Sequence, residues 1–145
     1  MRAAMFAAAL AAVPALAAGQ RADSKPKPAG DDDKPKLTLK AQPNVSVAPA
    51  RVVLTAELSG GANDYQDYYC PTVLWAWGDG TESESTFDCE PYIAGKSEIK
   101  RRFTVEHVFR RGGTQRVVFR LKRNEKVLAT ATVTIQVTPG ASESN

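Results

Sequence analysis

After residue 36, period-two alternation of hydrophobic and polar positions dominates the chain, and no stretch sustains the three-to-four spacing of a helical stripe. Val52, Leu54, Ala56 and Leu58 alternate with polar neighbours except at Val53. Ile99, Phe103, Val105, His107 and Phe109 do the same against Lys100, Arg102, Thr104 and Glu106, with Arg101 as the misfit. Val117, Phe119 and Leu121 oppose Arg116, Arg120 and Lys122, and the run from Val127 to Val137 alternates mainly with threonines. Leu37-Thr38-Leu39, Val73 to Trp77 and a strand after Thr81 complete about seven short strands, the count of a two-sheet antiparallel sandwich. Arg123-Asn124-Glu125 is a hairpin turn between the last two, and no internal repeat is present.

Within this pattern, "TVLWAWGDGTES" puts two tryptophans on one strand face directly before an Asp79-Gly80 turn signal. Val73, Trp75 and Trp77 share a parity, and a small sandwich needs large rings on its inner face, so both tryptophans read as core. A two-residue turn at Asp79-Gly80 pairs Trp77 with Glu82 and, in the same register, Cys70 with Cys89. A disulfide between them is therefore expected. That register also turns Glu82 and Glu84 toward the tryptophans, where acids do not belong. A bulge would move them out but would shift the cysteines, so the register stays open.

The chain's 145 residues are not all domain. Arg2, an apolar run from Ala3 to Leu16 broken by Pro14, and an Ala15-Leu16-Ala17 exit have the form of a secretory signal peptide cut before Ala18. The run is shorter than the roughly 20 residues of a membrane-spanning helix, and no cysteine follows the cut to carry a lipid. Residues 18–36 lack large apolar side chains and read as a flexible, charged, Pro-rich tether, in which Asp31-Asp32-Asp33-Lys34 is a solvated charge block. Residues 37–138 form the domain and 139–145 a frayed tail. Together these features place the mature protein in the periplasm or outside the cell, in a compartment where a disulfide persists.

Net charge is only +3, against a dedicated nucleic-acid partner, but the charges are segregated. Asp64 to Glu90 holds seven acids and no Lys or Arg, while Lys96 to Lys126 holds eleven bases against three acids. Arg116, Arg120 and Lys122 line one face of one strand as a basic stripe suited to an anionic envelope polymer, or to the acidic end of another copy. Further bases are Lys100, Arg102, Arg110, Arg111 and Arg123. Tyr65, Tyr68, Tyr69 and Tyr92 gather about the cysteine pair, as packing over the hairpin or as a contact patch. Asn63, Asp64 and Asp67 offer oxygens to calcium but lack the spacing of a calcium loop. His107, the only histidine, shares the apolar parity of Val105 and Phe109 and reads as structural. With one histidine, no zinc spacing, and no nucleophile elbow or phosphate loop, neither catalysis nor a cofactor is expected.

Trp75-Ala76-Trp77-Gly78-Asp79-Gly80-Thr81, followed by His107-Val108-Phe109 and Gly113, resembles the PKD domain, whose hallmark is a Trp-Asp-Phe-Gly-Asp-Gly-Thr turn, a His-x-Tyr/Phe strand end and a Gly-x-Tyr-x-Val strand. Ala76 stands where the motif has aspartate, Trp77 where it has phenylalanine and Gln115 where it has tyrosine; the cysteine pair and the 89–97 insert are also unusual. The resemblance implies an immunoglobulin-like extracellular module, without catalysis of its own, for contact with an envelope or extracellular protein or polysaccharide. The alternative is a structural envelope component that self-associates through its acidic and basic faces.

Overall fold

A computed structural model of the chain describes residues 31–141. Its strands are β1 (Lys36–Gln42), β2 (Val45–Val47), β3 (Ala50–Ser59), β4 (Thr72–Ala76), β5 (Glu82–Ser85), β6 (Arg102–Phe109), β7 (Gly113–Arg123) and β8 (Lys126–Thr138). They make an all-β sandwich of two sheets, β1-β3-β6 and β2-β8-β7-β4-β5. The predicted architecture is met with one exception to its antiparallel character: β2 runs parallel to β8, with Val45 opposite Gln136. Pro43 follows β1 and Pro49 precedes β3. A residue without an N–H ends a ladder, so the chain leaves one sheet and joins the other here.

Parity decides burial. Ala50, Val52, Leu54, Ala56 and Leu58 of β3 are buried while Arg51 and Val53 face water. Val117, Phe119 and Leu121 of β7 and Ile135 and Val137 of β8 line the opposite layer. Trp75 and Trp77 are 5% and 2% exposed, at the centre of the cluster. The β7–β8 hairpin turns at Asn124-Glu125, Asn124 taking a φ of 52°, and a register shift lies between Leu121 and Lys122.

The tryptophan hairpin departs from its predicted register. Trp75 opposes Ser83 and Ala76 opposes Glu82. Trp77 does not face Glu82; its N–H donates to the Thr81 carbonyl at 3.1 Å, enclosing three loop residues, Gly78-Asp79-Gly80, instead of two. A slip of one residue reverses every side chain, so Glu82 and Glu84 point away from the core, on the side of Ala76 and Leu74. The longer loop needs φ of 80° at Gly78 and 89° at Gly80, values that glycine adopts without strain. The disulfide forms as expected, Cα atoms 6.2 Å apart. It lies beyond the ladder, because β5 ends at Ser85 and Cys70 itself takes a φ of 50°.

Two further boundaries differ. The strand expected from Ile99 begins at Arg102, although Ile99 is buried. Arg101 broke the alternation because it serves the backbone: its Nη1 donates to the carbonyls of Leu58 and Gly60, and its Nη2 to Asn63 Oδ1 at 2.7 Å. The end of the predicted tether is seated on the domain. Asp31–Asp33 is a 3-10 turn, the Asp33 carbonyl accepts from Ala62 N–H at 2.8 Å, and Pro35 is buried. The signal-peptide assignment and residues 18–30 fall outside the described residues.

Candidate functional site

One end of the sandwich carries a compact polar arrangement. The Gly78-Asp79-Gly80 loop brings Asp79 back over the end of β6. Asp79 Oδ1 accepts from the Thr81 N–H at 3.0 Å and also from the Thr81 hydroxyl; Oδ2 lies 2.8 Å from His107 Nε2, which donates to it. The imidazole is stacked on Trp77, centroids 4.1 Å apart and planes 4° from parallel, and meets Phe109 edge-on at 4.7 Å. Trp77 stacks on Trp75 as well, at 5.3 Å, and its indole N–H donates to Ser83 Oγ at 3.0 Å. Burial raises the Asp79 pKa, but the bonds from Thr81 and His107 outweigh it and hold the carboxyl below the ordinary aspartate range. His107 is thus clamped on one face and one nitrogen, the geometry of a fastening between β6 and the β4–β5 loop.

Beside this clasp lies a concavity of about 300 Å³, walled by Asp79, Thr81, His107, Arg110, Arg111 and Gln115. Gln115 occupies an inward position of β7 and is only 8% exposed. Arg110 and Arg111 follow β6 and are exposed. Among the described residues neither guanidinium has an ion-pair partner, and the Gln115 amide has no hydrogen-bond partner. The sequence marked Gln115 only as standing where the motif has tyrosine, although it also shares the inward parity of Val117, Phe119 and Leu121.

The other candidate residues are spread over the fold. Tyr68 is 1% exposed, so it belongs to the core and not to an open patch. Tyr65, Tyr69 and Tyr92 are half-buried. The Tyr69 hydroxyl donates to the Glu90 carbonyl at 2.7 Å and that of Tyr92 to the Asp64 carbonyl at 2.6 Å, lacing the 63–69 loop to the 89–97 insert. Arg123 adds bonds to the carbonyls of Gln66 and Tyr69. Of the three residues considered for calcium, two are engaged: Asn63 Oδ1 by the Arg101 guanidinium and Asp64 Oδ2 by Gly95 N–H at 2.9 Å, while Asp67 is exposed. Among the described residues no three His, Cys, Asp or Glu side chains gather as a metal set.

Arg116, Arg120 and Lys122 do lie on one outward row of β7. Their neighbours across β4 are the acids of β5, and Lys122 Nζ is 3.4 Å from Glu84 Oε2. The acidic and basic stretches of the sequence therefore meet on a single sheet face. The outer face of the smaller sheet is balanced too, by the Arg51–Glu106 and Arg102–Glu57 pairs. No described helix is long and apolar enough to cross a membrane.

Solved structures similar to this chain include the PKD domain of an M14-like peptidase from a Thermoplasmatales archaeon, at 16% identity and a TM-score of 0.49, covering 74% of this chain and 98% of that one. A putative membrane-anchored protein from Corynebacterium diphtheriae is similar over 72% of this chain and 21% of its own, at 12% identity and a TM-score of 0.49. A CARDB domain from Pyrococcus furiosus, solved in complex with di-metal ions, is similar at 12% identity and a TM-score of 0.44, over 74% of this chain and 97% of that one. No family model and no curated protein matches the sequence.

Proposed function

We propose that this chain is an exported, non-catalytic module that works by surface contact with an envelope or extracellular protein or polysaccharide. The observation that carries this reading is the closed interior. Both tryptophans and the apolar inward residues of β3 and β7 are consumed by packing, which leaves outer faces and loop ends for recognition. The sole histidine is likewise occupied, by Trp77 and Asp79. Export rests on the form of residues 1–17 and agrees with a disulfide, which persists in an oxidising compartment. Self-association through opposite acidic and basic faces has less support, since Lys122 and Glu84 already meet within one sheet.

The test is retention of the purified full chain on envelope polysaccharide and on envelope protein extract, at low and high salt. Retention that a folded, disulfide-intact sample shows and a reduced, unfolded one lacks supports contact. A chain that passes both matrices freely, or that hydrolyses an offered polymer, overturns the reading.

A further inference from the structure

The concavity beside the Asp79–His107 clasp has the features of a built site. Gln115 is a polar amide at an inward position, more than nine-tenths buried, opening on the cavity without a hydrogen-bond partner among the described residues. Its amide atoms still reach solvent through the cavity, so a ligand seated there exchanges water for direct bonds to the amide. The guanidinium groups of Arg110 and Arg111, without an ion-pair partner among the described residues, stand at the same wall. Guanidinium forks match flat or tetrahedral oxyanions in two-point contact.

We propose that this concavity binds an acidic sugar, a single pyranose unit carrying one carboxylate or one sulfate. The charge count favours one negative charge: two arginines face one carboxylate, that of Asp79. A doubly charged phosphate monoester would meet Asp79 at close quarters without compensation. Around the charge, the Gln115 amide both donates and accepts, and the Thr81 hydroxyl retains acceptor capacity, a set that suits ring hydroxyls. The edge of the stacked imidazole and Val108 supply the apolar part of the wall. A volume of about 300 Å³ accommodates one such ring and not a longer rigid segment. This inference rests on the contact reading above and names its ligand class.

Galacturonate, galactose 6-sulfate and galactose are titrated into the full chain by calorimetry and by amide chemical-shift mapping. An acidic sugar is expected to bind roughly tenfold or more tightly than galactose, with shifts at Thr81, Arg111 and Gln115. Comparing the two acidic probes assigns carboxylate or sulfate. Gln115→Glu, which keeps the shape and adds a like charge, and the pair Arg110→Ala with Arg111→Ala are each expected to weaken binding by roughly tenfold. Lys40→Ala is expected to leave it unchanged, and near-UV circular dichroism verifies that each variant is folded. Gln115→Leu offers a second, apolar replacement if the glutamate variant fails to fold. Equal affinity for galactose, binding that survives the double arginine variant, or no binding overturns the site. If polymer retention persists in variants that bind no acidic sugar, the contact reading stands and this site falls. If galacturonate binds at the mapped residues while no polymer or protein is retained, the site stands and the contact reading falls.

Discussion

His107 and Trp77 lie face to face, ring centroids 4.1 Å apart and planes 4° from parallel, with the free edge of the imidazole tied to Asp79. The stack joins β6 of one sheet to the end of β4 in the other, so this single contact bridges both layers near the loop that shapes the concavity. Removing Asp79 tests how much the bridge depends on that tie. Asp79→Ala deletes the acceptor for His107 and Thr81 together and is expected to destabilise the fold by about 1–3 kcal/mol, measured by urea denaturation followed through tryptophan emission.

The same carboxylate sets an acid dependence. Its pKa is depressed in the folded chain, since bonds from Thr81 and His107 overcome the upward push of burial. Such a group contributes stability in full above the unfolded-state value, and that contribution disappears as pH falls through the lower, folded value. Denaturation midpoints of the wild type should therefore fall on acidification through and below the ordinary aspartate range, and Asp79→Asn should flatten part of the decline. An equal slope in both proteins would remove Asp79 from the account. Glu57, lowered by its bond to Arg102, acts in the same direction but remains in both proteins.

Trp75 and Trp77, 5% and 2% exposed, should emit as buried indoles and resist quenching by iodide. Trp75→Ala removes a ring packed against Trp77 and Phe119 and is expected to cost about 3–5 kcal/mol. Free quenching in the oxidised, folded protein would contradict the sandwich itself.

The Cys70–Cys89 bond encloses the whole β4–β5 hairpin across a sequence separation of 19. Replacing both cysteines by serine is expected to lower stability by about 3 kcal/mol, seen as a shifted denaturation midpoint. In the wild type, thiol-alkylating reagent should add no mass until a reductant is present.

Gly78→Ala probes the three-residue loop. A Cβ there would sit 2.6 Å from the Arg116 carbonyl oxygen, and φ is 80°, so neither space nor conformation is available. A loss of roughly 1–3 kcal/mol is expected, whereas Gly80→Ala meets no neighbouring atom and bears only the conformational part.

Alternation located most of the strands, though not β2, together with the buried tryptophans and the inward histidine, because burial in a sandwich follows parity and parity is written residue by residue. The hairpin register was not legible. It depends on whether the turn encloses two residues or three, and Gly78-Asp79-Gly80 satisfies either count until the Arg116 backbone forces close approach at Gly78. The awkward inward placement of Glu82 and Glu84 was the signal that the shorter turn was wrong. Arg101 and Gln115 each broke a local pattern, one as a charge within an apolar rhythm and one as an amide on a buried row. Arg101 ties the backbone after β3, and Gln115 lines the concavity. What no pattern conveys is which loops meet in space, and so the pairing of Asp79 with His107, 28 positions apart, had to come from the fold.

The passage of the chain from β1 to β2 has a consequence for how molecules of this protein coexist at high concentration. One N-terminal stretch shields a flank of each sheet, β1 along β3 and β2 along the last residues of β8, Gln136 to Thr138. Shortening the protein past Val47 would strip both flanks at once and leave two raw rows of amide and carbonyl groups, a template on which neighbouring copies would stack into aggregates.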